Sequence, residues 1–410
     1  MKKEYDIAIV GGGLVGASLA CCLSKSGYRI VVLEKTPINS DLQSSYDERG
    51  LALSLASCRI LDAIGIWHDI SKNCVPIKNI HVSDRGNTGI VRLDAEEMGL
   101  QAMGYVVVAR ALGKGLMDKL QSYPEIDYLT PAEVVNFSQT REKMTLNVDY
   151  GGSVREISCQ LLVGADGSNS RIRNQAGLSA YVKEYNQTAI VSNMSVDTDT
   201  KFTAYERFTP SGPLAMLPLD KSRFVSIFCI SNTNAGSYME MDDEAYISKL
   251  QEVAGTRIGN IQKLGIRKSY PLKMIKSEPQ FSNRLVLLGN SAHTIHPNGA
   301  QGFNLGLRDA ASLAEILITN RKTSKSDAGS DQVLEEYINF RQPDHNRVVG
   351  MSDGLTEIFY TDNMIKKVLR NSAMSLLNMV PAFKYKFARI AMGVDGRQPS
   401  LVRGLLLDQL

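Results

Sequence analysis

The N-terminal segment constrains this chain most. A short β-branched apolar run at residues 6–10 leads into Gly11-Gly12-Gly13-Leu14-Val15-Gly16, and an Ala-, Leu- and Ser-rich stretch follows to Ser26. That pattern reads as strand, glycine turn and helix. Gly11 permits the tight turn, Gly13 lets a pyrophosphate approach backbone N–H groups, and Gly16 lets the helix pack closely on its strand. A second strand over residues 28–33 ends in Glu34, an acid that can accept hydrogen bonds from ribose hydroxyls. A glycine turn alone arises for many reasons. Turn, helix and strand-terminal acid together predict a dinucleotide with its phosphates at the helix N-terminus.

The rest of the chain must supply what surrounds that unit. Its 410 residues and 43% hydrophobic content suffice for two or three structural units. Lys plus Arg number 46 against 43 Asp plus Glu, a balance that argues against nucleic acid as the main partner. The 6 cysteines show no CxxC pairing or clustering with histidine, as expected of a reduced, cytoplasmic protein. Neither a signal peptide in MKKEYDIAIV nor an apolar run long enough to cross a bilayer is read from the sequence, so any membrane contact is expected to be peripheral.

Two further motifs have the grammar of binding loops. Residues 161–164 form an apolar run ending in Gly164-Ala165-Asp166-Gly167-Ser168-Asn169-Ser170-Arg171, a turn leading into a capped helix. Downstream, a strand at 284–288 precedes Gly289-Asn290-Ser291-Ala292-His293 and His296-Pro297-Asn298-Gly299-Ala300-Gln301-Gly302-Phe303-Asn304, with a helix expected over 305–318. A glycine-rich loop opening a helix aims backbone donors and a positive dipole end at an electron-rich group, such as the edge of a reduced flavin.

Taken together, GGGLVG, GADGSNSRIR and GNSAHTIHPNGAQGFNLGLRDA resemble the signatures of the FAD-dependent aromatic hydroxylases, the superfamily of para-hydroxybenzoate hydroxylase. The segment from Asp47 to Leu53 (DERGLAL), the LDAIGIW segment ending at Trp67 and the third motif are most similar to its ubiquinone-biosynthesis branch. The resemblance implies an α/β fold: a Rossmann-type FAD-binding domain of the glutathione-reductase-like class, an inserted mixed β-sheet substrate domain and a C-terminal helical region. The corresponding division is 1–75, 100–180 and 276–330 for FAD, 76–99 and 181–275 for substrate, and 331–410 for the helices.

The same resemblance assigns roles. Glu34, with Lys35 beside it, would meet the adenosine ribose, and Arg49 and Arg110 the pyrophosphate and ribityl chain. Asp166 and Gly167 would flank the groove shared by FAD and a passing nicotinamide. Gly289 and Asn290 would meet the ribityl region, although the wider superfamily carries Asp at Asn290. Leu14, Val15, Pro297, Gly299, Gln301, Gly302, Phe303 and Asn304 complete the expected cofactor set. Pro218, within the strand-like residues 214–219, is expected near the flavin face.

A single GxGxxG-plus-acid unit leaves NAD(P)H as a transient co-substrate. The implied reaction adds O2 to the reduced flavin and delivers hydroxyl from a C4a-hydroperoxyflavin to a prenylated phenol of the 2-octaprenyl-6-methoxyphenol type in ubiquinone biosynthesis. His293 and His296 read equally as a general base or as backbone-bonded loop histidines. The 5 histidines show no HxxxH or HExxH spacing, so no metal is expected. Past Asn363 the chain is basic, with Leu376, Leu377, Met379, Phe383 and Phe387 interleaved, a pattern suited to a membrane surface, a biosynthetic partner or its own domain. A flavin-dependent prenyl reductase and a flavoprotein subunit of a biosynthetic assembly remain open readings.

Overall fold

The opening strand, Lys3–Val10, is buried from Tyr5 onward on both faces, as in the interior of a parallel sheet. A computed structural model describes residues 3–37, 48–324, 327–360 and 364–409 of the chain. Lys3–Val10 runs parallel to Ser153–Gly164 on one side and Ile30–Leu33 on the other. Leu285–Leu287 and Ile126–Leu129 extend the sheet outward, also in parallel. Every binding motif therefore begins at the C-terminal end of a neighbouring parallel strand, where open α/β sheets gather their ligands.

Each face of this sheet is covered differently. Ile7, Ile9 and Val32 pack with residues of helices Leu14–Leu23 and Gln301–Ser324, among them Leu19, Leu23, Leu307 and Ala314. On the other face Ala8, Val31 and Leu162 meet Val134, Leu146 and Val148 from the antiparallel strands Ala132–Gln139 and Met144–Tyr150.

A second, mostly antiparallel sheet is built around Ala180–Val196, paired with Lys268–Ser277 and Arg223–Ser231. Leu214–Pro218, Thr203–Phe208, Asn79–Asp84 and Ile90–Asp94 continue it. Helix Asp243–Ala254 covers one face through Tyr246, Leu250 and Val253. Its other face turns toward the first sheet. A small three-stranded sheet, Gly50–Ser54 with Gly104–Val108 and Val75–Ile77, stands between them. The expected α/β architecture, with its inserted mixed sheet and terminal helices, is thus present.

One helix is longer than expected. The helix expected over 305–318 instead runs from Gln301 to Ser324, through the polar residues that follow Ile318. Neither Gly nor Pro interrupts that stretch, and Asn320 Nδ2 and Thr323 Oγ1 satisfy themselves by donating to Ile316 and Thr319 carbonyls four residues back, at 3.0 and 2.8 Å. Helix Asp331–Phe359 packs beside it, followed by Met364–Met379 and Pro381–Ala391.

Candidate active site

The three glycine-bearing loops are pressed into one another. Gly11 has φ +103°, and a Cβ there would lie 2.4 Å from the carbonyl oxygen of Ala165 in the second motif. A Cβ on Gly16 would fall 2.0 Å from the Gly11 carbonyl oxygen, and one on Gly289, at φ +59°, would sit 3.2 Å from the Val15 methyls. These glycines hold the motifs together. Gly13 is different: at φ −66° and ψ −176° its backbone is open to any residue, so its lack of a side chain answers to the cavity it borders.

Glu34 is buried at the end of its strand. Its Oε2 accepts from Gly12 N at 2.8 Å and its Oε1 from Thr36 N at 2.7 Å. Asp166 Oδ2 accepts from the backbone N–H groups of Arg171 and Ile172 at 2.8 and 3.2 Å, fixing the start of the short helix Arg171–Gln175. Its Oδ1 is buried without a hydrogen bond, as are Asn298 Oδ1 and Gln301 Oε1. Buried acceptors left open in this way fit a ligand rich in hydroxyl and N–H donors, as the ribityl and isoalloxazine portions of FAD are.

A cavity of about 940 Å³ joins the loops to the second sheet. Gly13, Leu14, Val15, Arg49, Gly167, Asn290, Pro297, Gly299, Gln301, Gly302 and Phe303 border it, as do His296 and Asn304. Arg49 lies over the ring of Tyr270, 5.0 Å from its centroid. Arg110 begins the adjacent helix, with Nε 2.7 Å from Glu48 Oε1. Asp47 lies outside the described residues.

Two expected residues lie off the cavity lining, and two that border it spend their side chains on bonds within the protein. Lys35 points to Glu133, at 3.8 Å, on the outer strand. Pro218 is off the lining because strand alternation turns Ala215 and Leu217 to the cavity in its stead. Asn304 fills all four of its amide positions within the protein: Oδ1 accepts from Ser54 N and Ser57 Oγ, and Nδ2 donates to Ala52 and Ala300 carbonyls, at 2.7–2.8 Å. Its side chain braces strand Gly50–Ser54 against the loop. His296 borders the cavity, but its Nε2–H donates to Gln187 Oε1 at 3.1 Å and its Nδ1 accepts from Asn298 N at 3.3 Å. Burial lowers its pKa to about 4, so the backbone-bonded reading describes it better than a general base.

His293 is buried against Asp309, which also meets His345 and Arg341 at 2.5–2.7 Å. No metal-ligand spacing is written in consecutive residues, yet folding brings His293, Asp309 and His345 together. Asp309 already neutralises Arg341, and Arg341 continues to Asp344, which binds Arg308 and Arg347 at 2.7–2.8 Å. This is an ion-pair network locking helix Gln301–Ser324 to helix Asp331–Phe359. One carboxylate that the motif reading missed, Glu206, also borders the cavity. Alternation along strand Thr203–Phe208 is the signal that marks it, since Ala204 and Phe208 share its face.

Comparison with known proteins agrees with this geometry. Residues 4–352 match the family described as FAD binding domain. The chain is 32% identical over 409 residues to Ubiquinone hydroxylase UbiL of Rhodospirillum rubrum, covering 99% of this chain and 94% of that one. It is 28% identical over 396 residues to 3-demethoxyubiquinol 3-hydroxylase of Escherichia coli, covering 96% and 100%. In three dimensions it resembles p-nitrophenol 4-monooxygenase PnpA from Pseudomonas putida, with a TM-score of 0.79 at 18% identity over 97% of this chain and 100% of that one.

Proposed function

The chain belongs to the family of FAD-dependent aromatic hydroxylases, and on that premise we propose that it hydroxylates the ring of a prenylated phenol, of the 2-octaprenyl-6-methoxyphenol type, in ubiquinone biosynthesis. The observation that carries this reading is the lining of the cavity. Polar at the glycine loops, it becomes an apolar arm at Leu93, Met374, Leu377, Phe387, Ala388 and Met392, which pack together where the second sheet meets the C-terminal helices. Polar loops for a cofactor and an apolar lining for an isoprenoid tail suit an amphiphilic phenol.

In this reading FAD, reduced by an NAD(P)H that binds and leaves, supplies the activated oxygen from O2. The chain does the rest. Glu34 receives the ribose hydroxyls, the Gly13 backbone and the N-terminus of helix Leu14–Leu23 receive the pyrophosphate, and Arg49 with Arg110 offsets its charge. Asp166 Oδ1 and Gln301 Oε1 accept from the cofactor's remaining donors. Apolar walls exclude water around the ring to be attacked.

The substrate's tail implies where the protein works. Among the described residues no helix is long and apolar enough to cross a membrane. Helices Met364–Met379 and Pro381–Ala391 nevertheless expose Met364, Ile365, Val368, Leu369, Met379 and Phe383, each more than half accessible, beside Lys366 and Lys367. Their inner residues border the apolar arm. The pair forms the roof of the tail site, and its basic, apolar outer face suits the surface of an anionic bilayer, consistent with a cytoplasmic protein peripheral to the membrane that holds its substrate.

The test is NAD(P)H oxidation by the flavin-loaded protein with a short-chain prenylated methoxyphenol in air. Stimulated oxidation with a product heavier by one oxygen supports the proposal. A product that has gained only hydrogens indicates a prenyl reductase. Flavin content without stimulation indicates a subunit of an assembly.

A further inference from the structure

Glu206 is the only carboxylate among the described residues that border the cavity. It lies at the middle of strand Thr203–Phe208, opposite Ala215 on the next strand. Gly299, in the loop of the third motif, borders the same cavity. No Lys or Arg among the described residues pairs with it. Apolar Ala204, Leu217 and Ile227 border the same part of the cavity. A carboxylate without a counter-ion in such a place costs stability that a leucine would not, so its presence calls for a use. From its strand in the second sheet it borders the cavity that the third-motif loop also lines.

We propose that Glu206 is the general base of the hydroxylation, its carboxylate accepting the proton of the substrate's phenolic hydroxyl as the ring attacks oxygen. The inference rests on the hydroxylase reading above and adds a residue to it. The phenol O–H bond breaks, a new O–H bond forms at Glu206, and the freed electron pair flows through the ring to form a C–O bond with one oxygen atom of the activated O2. The O–O bond breaks with its electron pair going to the other oxygen, which takes up the proton held by Glu206 and a second one supplied with the NAD(P)H electrons, and leaves as water. The ring carbon's own C–H proton moves to the former phenol oxygen and restores the aromatic ring.

The surroundings suit the task. Burial pushes the carboxyl up to about 7, against the lowering effect of the Gly299 N–H, close to the optimum for a base near neutral pH. Burial raises the Cys229 thiol and the Tyr360 hydroxyl, the Glu206 charge adds to both, and each stays neutral. His296, lowered to about 4, is neutral as well. Arg370 borders the cavity but is held by Asp84. Among these neighbours, then, Glu206 is the group that titrates near neutral pH.

The flavin-loaded protein is assayed with a short-chain 2-prenyl-6-methoxyphenol from pH 5.5 to 9, alongside the Glu206→Gln and Glu206→Asp variants. Wild-type kcat is expected to rise through a midpoint near 7. Glu206→Gln should lower kcat about 100-fold and abolish that limb, and Glu206→Asp should restore part of both. A ring-fluorinated, more acidic phenol should recover much of the Gln variant's loss, which a purely structural defect would not allow. Wild-type kcat with an unchanged limb in the Gln variant overturns the assignment. Where the Gln variant does not fold, a flat wild-type profile overturns it instead. A wild-type enzyme that hydroxylates no phenol at any pH refutes the hydroxylase reading itself, and the base falls with it.

Discussion

Glu34 Oε2 accepts a hydrogen bond from the backbone N–H of Gly12 at 2.8 Å, so the acid that ends the second strand is tied to the turn that follows the first. The carboxylate is thereby fixed at the edge of the nucleotide site before any ligand arrives. Glu34→Ala should weaken FAD binding about 10- to 100-fold, the range for losing charge-assisted hydrogen bonds. Titration of the flavin-free variant with FAD checks this, and unchanged affinity would remove Glu34 from the site.

Two glycines of one motif should fail in different ways. The Gly13 backbone accepts any residue, so Gly13→Val is expected to give a folded protein without flavin, its side chain blocking the pyrophosphate. Gly16→Val places a branched side chain where even a Cβ lies 2.0 Å from a backbone oxygen, so that variant should lose the fold as well. Circular dichroism and flavin absorbance on both variants separate the outcomes.

Asp309 bears the convergence of Arg341, His293 and His345. Asp309→Asn should cost about 3–5 kcal/mol, because a fully buried guanidinium loses one of its two carboxylate partners while the other, Asp344, is shared with Arg308 and Arg347. Urea unfolding measures it. A cost under about 1 kcal/mol would mean that the network contributes little to locking the two long helices.

The outer face of the C-terminal helices should govern membrane attachment. Ile365→Asp with Met379→Asp puts charge at two of its most exposed apolar positions and should reduce sedimentation with phosphatidylglycerol-containing vesicles at least tenfold. Flavin content should be unaffected, since neither residue borders the cavity. Wild-type protein that ignores vesicles at low salt would contradict the membrane reading.

What the sequence disclosed was local: glycine turns, a strand-terminal acid and loops that open helices are written in consecutive residues. What it concealed depends on distance or on parity. Asp309 and Arg341 meet only when two long helices fold side by side. Pro218 was placed one residue out of phase, because a strand's facing cannot be read from an unbroken apolar run. Glu206 hid for the related reason that a lone acid in a strand reads as a solvated position. The helix expected to end at residue 318 runs on to Ser324 because Lys-, Thr- and Ser-rich composition suits an exposed helical end as well as a loop.

The central claim is that oxygen from O2 enters the ring of a prenylated phenol. Turnover of flavin-loaded wild-type protein with NAD(P)H, a 2-prenyl-6-methoxyphenol and ¹⁸O-labelled dioxygen, followed by mass spectrometry, tests it directly. The account predicts one ¹⁸O atom per product molecule, bound to a ring carbon. Product containing oxygen only from water, or flavin turnover that returns all oxygen as hydrogen peroxide whatever the phenol, would contradict it.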